Sequence, residues 1–596
     1  MKKYILLGTV AALGLSMASC DDFLNDNRYP LSEQTVAPEF WDNPTNVENQ
    51  INYFYESFAG YGNGTGTNGT FYYTTLSDDQ GSAMGGDFRN WTYTNVPASS
   101  SNWNAPYTEI RRCNIVIEGV TGSTLGDTQK ANFIAIARLM RAYQYYQLVR
   151  AYGDVPLVEK ALDPADEAEL FGPRTARNTV MDFVLEDLNY AVANITAQDG
   201  KTVFSKDMAN AMKAEICLFE GAYAKYHAED KARSDKFFTE VVNATTPFLT
   251  SSYELCDDYQ SLYNSARSKM PNGMPGLDTN KEIIFFKPYE QGVFMHSLCD
   301  WSGSSTPIAG ITRDAFESFL FLDGKPMCAQ TDKVEIGTVV DNGEKKDADG
   351  KPVVDSDGNP VHEYLFDISN VLAVRDKRLS AIIDPAVYFT GQEYERPNTM
   401  PMTSSTGYGV TKFDNLAMSY EDVTTANRNY TSAPLFWLAR IYMAYAEAKA
   451  ELGTLTDGDL NATVNKLYAR AGLPAQTVAG LQAMNAADNN MDGVSSLLFE
   501  IRRCRRCEFM LDDGIRYWDL IRWKQLELLD NTQHPNVFLG ANVSTYPNTS
   551  GITVKNGYVD SSMGMNRKFD AKHYFYPVPS EQIALNKQLT QNPGWK

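Results

Sequence analysis

The sequence predicts a mainly α protein: a tetratricopeptide-like helical scaffold that carries an irregular, loop-rich ligand-binding region. Three observations lead there. Ile136, Leu139, Met140, Tyr143 and Tyr146 recur at helical spacing within a long run free of Gly and Pro, the mark of an amphipathic helix. Leu435, Leu438, Ala439, Tyr442 and Ala446 repeat that face near the other end of the chain. Between them, from 231 to 430, the chain is richer in Gly, Pro, Asp and Ser, and binding loops usually sit on irregular segments held by a rigid base.

The chain opens with an export signal over residues 1–19. Lys2 and Lys3 form a positive start, Ile5 to Leu15 form a short apolar run, and Met17-Ala18-Ser19 places small residues before Cys20. The run is too short to span a membrane, which takes roughly 20 apolar residues. The tripeptide resembles a bacterial lipobox, so Cys20 is the expected lipidation site. At about 0.8 kcal/mol per buried methylene, several acyl chains would anchor the protein firmly. Residues 20–596 read as a single domain because no linker divides them: an N-terminal helical part over 20–230, the irregular part over 231–430, and a helical and C-terminal part over 431–596.

The first long helix stops at Tyr152-Gly153-Asp154-Val155-Pro156, where glycine can take a left-handed cap and proline blocks continuation. Further helices are expected over 177–192 and 206–227. Ile283-Ile284-Phe285-Phe286 reads as a short strand, and 341–359 as a hydrophilic, Asp-rich excursion. After the stop at Leu452-Gly453, helices follow over 458–470, 495–510 and 515–528. Helix pairs with Tyr and Ala at their contacts give the tetratricopeptide-like reading, without a strict repeat of about 34 residues. Asp519 stands three residues from both Arg516 and Arg522, which predicts an ion-paired helix face.

Composition narrows the function. A net charge of -21 argues against nucleic acid, whose phosphates need an excess of Lys and Arg, and disfavours a polyanionic substrate unless a local basic patch overrides it. Tyr and Phe are abundant. Their rings can stack on sugars, although most belong to core packing. Eight cysteines, seven of them beyond Cys20, form no disulfide framework, and Cys504 and Cys507 read as small thiols packed on a helix.

Several motifs mislead. Gly64-Thr65-Gly66-Thr67-Asn68-Gly69 matches G-x-G-x-x-G but lacks the strand before it and the βαβ unit after it, so it reads as a loop. Asp488-Asn489-Asn490-Met491-Asp492-Gly493 opens like a calcium loop, yet Phe499 stands at its twelfth position and the acid, Glu500, falls one residue late. Asp347-Ala348-Asp349-Gly350 and Asp355-Ser356-Asp357-Gly358 read as turns. No G-x-S-x-G, no H-E-x-x-H and only five histidines are present. No catalytic residue, metal or cofactor is assigned, although a carboxylate pair for glycoside hydrolysis could hide among so many acids.

Several separated blocks stand out along the chain: Cys20-Asp21-Asp22-Phe23-Leu24, Trp103 to Asn114 (WNAPYTEIRRCN), Arg141 to Val158 (RAYQYYQLVRAYGDVPLV), Phe319 to Pro326 (FLFLDGKP) and Arg375 to Leu379 (RDKRL). Pro434 to Gly453, Arg503 to Trp523 (RCRRCEFMLDDGIRYWDLIRW), Tyr576-Pro577-Val578-Pro579 and Gln591 to Trp595 follow. Together, and in this order, they resemble one family, the SusD/RagB nutrient-binding lipoproteins. Asp512-Asp513-Gly514 is a residue longer than the commonest form. The resemblance implies a non-enzymatic lipoprotein on the cell surface, anchored in the outer membrane of a Bacteroidetes-type cell. It would capture a nutrient glycan and hand it to a SusC-like TonB-dependent transporter. Peptides are the second ligand class, and a surface glycoside hydrolase is the third reading.

The resemblance also points to two stretches for the ligand site. From the segment after the first helix, the candidates are Asp78, Asp79, Arg89, Trp91 and Trp103. From the central region they are Tyr289, His296 and Trp301. Rings would stack on sugar faces while carboxylates and the guanidinium bond hydroxyls. The competing reading places Trp103 in the core.

Overall fold

The computed structural model describes residues 37–62, 64, 69, 71, 77–81, 91–196, 200–269, 273, 275–299, 310–347, 349–389, 394–395, 401–415, 417–484, 491 and 493–596. Cys20 with the signal, Arg89, Trp301 and most of the calcium-like 488–493 stretch lie outside them.

Local sequence sets the helix ends. α1 (Pro44–Asn52) starts where the Asn43 side chain accepts the Thr45 N–H, and a proline fills its first turn. α2 (Ser101–Gly122) packs on α3 (Asp127–Tyr152), and α3 on α4 (Arg177–Asn194). α3 ends on Gly153, as its sequence predicts, but at φ +74 and ψ -113 the glycine takes a positive-φ conformation outside the left-handed helical cap expected of it. α5 (Lys206–Tyr226) and α6 (Lys231–Thr245) form the next packed pair, each capped by a side chain, Ser205 and Asp230. The scaffold is therefore a succession of packed helix pairs.

The irregular part is built from small sheets. β1 is Ile283–Lys287. β2 (Thr338–Glu344), β3 (His362–Asp367), β4 (Ile383–Val387) and β5 (Tyr408–Val410) form an antiparallel sheet in that order, with β2 on its edge. The Asp-rich excursion joins β2 to β3 through two successive turns. In each, an aspartate, Asp347 then Asp355, accepts the N–H groups two and four residues ahead. β6 (Ala433–Trp437) pairs antiparallel with β1, with Ile283 opposite Trp437 and Lys287 opposite Ala433. It runs straight into α7 (Leu438–Glu451), which packs on α6.

Two expected helices are shorter than their patterns. The 458–470 stretch divides into α8 (Asp457–Ala462) and α9 (Val464–Arg470) because Thr463 leaves the helical region, at φ -134 and ψ -92. α10 (Ser496–Glu508) packs on α7. α11 (Ile515–Arg522) stops before 528 because Lys524 turns left-handed at φ +57, and a single 3-10 turn, Leu526–Leu529, follows. Cys504 and Cys507 sit buried in α10, and burial pushes the Cys504 thiol up to about 12, so both pack as neutral thiols. One contiguous apolar core runs from Trp41 to Leu589. No helix of the described residues is long and apolar enough to cross a membrane.

The start of the described chain is clamped to α2 at one glycine. A Cβ on Gly119 would stand 2.2 Å from the Trp41 indole, which is 4% exposed. Glycine inside a helix costs roughly 1 kcal/mol relative to alanine, yet here it admits the ring. Gly119→Ala is expected to expel Trp41 and destabilise the protein by about 1–3 kcal/mol, as overpacked sites do. Urea unfolding followed by tryptophan fluorescence checks this, and an unchanged midpoint would refute the clamp.

Candidate functional site

A cavity of about 480 Å³ opens between the helix pairs and the C-terminal segments, within the ~300–1,000 Å³ range of ligand pockets. Three helices wall it with the same spacing. α3 gives Tyr143, Tyr146, Gln147 and Arg150; α5 gives Glu215, Leu218 and Phe219; α11 gives Ile515, Trp518, Asp519 and Arg522. Residues at i, i+3, i+4 and i+7 share one helix face, so three helical faces converge on one space. Ser57 to Gly60, Thr92, Asp513 and Tyr576 add to the wall from between the helices, with Asn102 from α2, Leu435 and Phe436 from β6, Arg440 from α7 and Arg505 from α10.

Its surface is aromatic with polar tips. Tyr146 meets Phe219 edge-on at 5.5 Å, Phe58 lies 5.5 Å from Tyr143, and Trp518 lies 6.2 Å from Tyr576. Burial pushes the Tyr143 phenol up to about 12 and raises Tyr146 as well, so both stay neutral and can donate or accept. The Arg150 guanidinium lies 4.1 Å from the Trp518 ring centroid and 5.0 Å from that of Tyr146.

Ion pairs behind these rings hold the wall in place. Arg440 donates to both Glu215 oxygens. Asp519 accepts from Arg505 at 2.7 Å and from Arg522 at 2.8 Å. Arg522 also donates twice to Glu447, at 2.7 Å each, and the Trp523 indole N–H donates to Glu447 at 2.8 Å. Burial works against the charged Asp519, but Arg505 and Arg522 outweigh it and hold the carboxyl below its ordinary range. That is the wrong direction for a general acid. The pairing corrects one expectation: Asp519 meets Arg522 but not Arg516, which reaches across to Asp78.

The predicted ligand residues are placed elsewhere. Asp78 is 1% exposed and accepts from Arg516 at 2.7 Å; Asp79 is 2% exposed and accepts from Arg506 at 2.6 Å. Burial opposes the Asp78 charge, but Arg506 and Arg516 overcome it and draw the carboxyl down to about 2. Trp103 is buried edge-on against Tyr152 at 4.9 Å, in keeping with the core reading, and borders a second groove of about 320 Å³. Tyr289 is buried, donates to the Gly62 carbonyl at 2.6 Å and stacks on Phe294. His296 is wholly buried between the Thr431 carbonyl, at 2.8 Å from Nε2, and the Leu298 N–H, which Nδ1 accepts; burial lowers it to about 3, so the ring is neutral. All five side chains are enclosed by protein contacts, none more than 3% exposed, and none lines the larger cavity. Trp91 is partly exposed, but its face stacks on His573 at 4.2 Å and its N–H donates to the Lys568 carbonyl.

Two of the predicted residues have neighbours on the cavity wall, Thr92 beside Trp91 and Asn102 beside Trp103. What the sequence reading missed is the helical contribution. Tyr143 and Tyr146 belong to the amphipathic helix pattern that the sequence shows, and the signal that this face opens to a cavity is Arg150, a charge seven residues after Tyr143 on it.

The comparisons with known proteins agree with this architecture. A model described as "SusD family" matches residues 278–595, and one described as "Starch-binding associating with outer membrane" matches residues 22–218. SusD-like protein P38 of Formosa agariphila is 34% identical over 132 residues, a stretch covering 22% of this chain and 25% of that relative. The starch-binding protein SusD of Bacteroides thetaiotaomicron is 23% identical over 510 residues, covering 82% of this chain and 77% of its own. A solved SusD-like carbohydrate binding protein from Bacteroides fragilis shares the fold with a TM-score of 0.64 at 21% identity, over 92% of this chain and 100% of that one. Since the first of these models covers more than half of the sequence, the chain belongs to the SusD family.

Proposed function

We propose that this chain is a surface lipoprotein, anchored to the outer membrane through Cys20, that captures a nutrient glycan and delivers it to a SusC-like TonB-dependent transporter without chemical change. The observation that carries the glycan reading is the cavity itself. Neutral phenols and an indole present flat faces beside hydrogen-bonding groups, which is what a sugar ring offers in complement. Its carboxylates Glu215, Asp513 and Asp519 all stand against arginines, Asp513 at 3.9 Å from Arg440, which supports capture over hydrolysis. The carbohydrate and starch binding named for two relatives lends the same support. Of the residues singled out from sequence, Arg89, Trp91 and Trp301 remain candidates for contact with the ligand.

The test is binding of the chain from Asp21 onward to polysaccharides, oligosaccharides and peptide mixtures, by gel retardation and calorimetry. Selective retention by a glycan is expected. Trp518→Ala is expected to weaken it at least tenfold, since stacking and area are both lost. Retention by peptides alone would replace the ligand class, and shortening of the glycan on prolonged incubation would make the protein a hydrolase.

A further inference from the structure

Among the described residues the cavity wall holds four arginines, and three of them are matched. Arg440 has Glu215, Arg505 has Asp519, and Arg522 has Asp519 and Glu447. Arg150 differs. Among the described residues it makes no ion pair, and its Nε is buried without a hydrogen-bond partner. Its guanidinium is held over Trp518 and beside Tyr146, facing the same space as the rings that would stack on a sugar.

We infer that the cavity takes a sugar bearing an anionic substituent, a carboxylate or a sulfate ester, and that Arg150 binds it. The inference rests on the glycan reading and deepens it. A planar guanidinium that has no carboxylate partner and neighbours only the Tyr146 phenol and the Trp518 ring matches the oxygens of an anion, with charge-assisted bonds stronger than neutral ones. The stacking partners fix its plane, so little freedom is lost on binding. The alternative, that Arg150 serves only as a cation at the last turn of α3, explains its position on the helix but not why, of the four described wall arginines, it is the one without a carboxylate partner. The net charge of -21 does not oppose one acidic unit inside the cavity. Exposed charges further than about 8 Å away are largely screened at physiological salt, and the other wall charges are paired. It does disfavour a ligand with every sugar charged, so an acidic substituent on a largely neutral glycan is the match.

The test compares each acidic probe with its neutral counterpart on the chain from Asp21 onward. The probes are partly methyl-esterified oligogalacturonides against fully esterified ones, and sulfated galactan oligosaccharides against the same material desulfated. At least one acidic probe is expected to bind tenfold or more tightly than its counterpart, and the pair that shows the preference identifies carboxylate or sulfate. Arg150→Gln is expected to abolish that preference, bringing the acidic-to-neutral affinity ratio to about one, and Arg150→Lys to retain part of it. A purely structural role would lower acidic and neutral binding together and leave the ratio unmoved. Equal binding of both members of each pair overturns the inference and leaves glycan capture standing, as does retention by neutral polysaccharides alone. Retention by no glycan at all removes both readings.

Discussion

Replacing Glu447 by alanine is expected to destabilise the protein by about 3–5 kcal/mol, the loss typical of removing one partner from a buried ion pair. Glu447 is 0% exposed and receives two bonds from Arg522 and one from the Trp523 indole. Burial alone would raise its carboxyl, but Arg522, with Arg505 and Arg502, holds it below the ordinary range. Without it, the buried Arg522 guanidinium keeps only Asp519 as acceptor and the Trp523 indole N–H loses its own. Glu447→Gln keeps the shape and an acceptor and should lose less. Because Arg522 and Asp519 form part of the cavity wall, glycan binding should fall in Glu447→Ala even where the protein is still folded. Urea titration with calorimetry on the folded fraction checks both effects. A loss under about 1 kcal/mol would mean that water replaces the carboxylate, and would remove Glu447 as the keystone of this wall.

The scaffold was more legible in the sequence than the site because helices announce themselves locally. The α3 pattern and its Gly153 stop lie within one stretch, and so do the start of α10 and the strand-like Ile283 to Phe286. Asp78 and Asp79 had no such signal. Two acids in a polar loop look exposed until their partners are known, and those partners, Arg516 and Arg506, stand 438 and 427 residues away. Tyr289 and His296 failed in the same way, because the contacts that enclose them come from Gly62 and Thr431. The aromatic content led toward tryptophans in loops, whereas the rings on the cavity belong to helix faces. From sequence, a face carrying Tyr143 and Tyr146 cannot be told from core, since both states satisfy the same period. Only the convergence of α3, α5 and α11 separates them.

Lys412→Met is expected to make stability strongly dependent on pH between about 5 and 8. Lys412 and Asp512 are both wholly enclosed, with Nζ bonded to Asp512 and, at 2.7 Å, to the Met510 carbonyl, while the Tyr263 hydroxyl donates to the second Asp512 oxygen at 2.8 Å. Burial outweighs the attraction on both sides, raising Asp512 to about 6 and lowering Lys412. A carboxyl raised in the folded state favours folding fully below its unfolded value near 3.8, and that contribution is lost as pH rises through about 6. The lysine makes the ionised form tolerable above that point. With methionine in its place, Asp512 can enter the core only with its proton, so the variant should lose about 3–5 kcal/mol at pH 8 and far less at pH 5, where the proton is already present. Lys412→Met combined with Asp512→Asn removes the charge that needs a partner and should recover most of the loss at pH 8. Chemical unfolding of the three proteins at both pH values reads the effect directly. Equal losses at pH 5 and pH 8, or no recovery in the double variant, would show that Lys412 acts through packing over the Tyr263 ring, 3.7 Å from its ammonium, and not through the charge of Asp512.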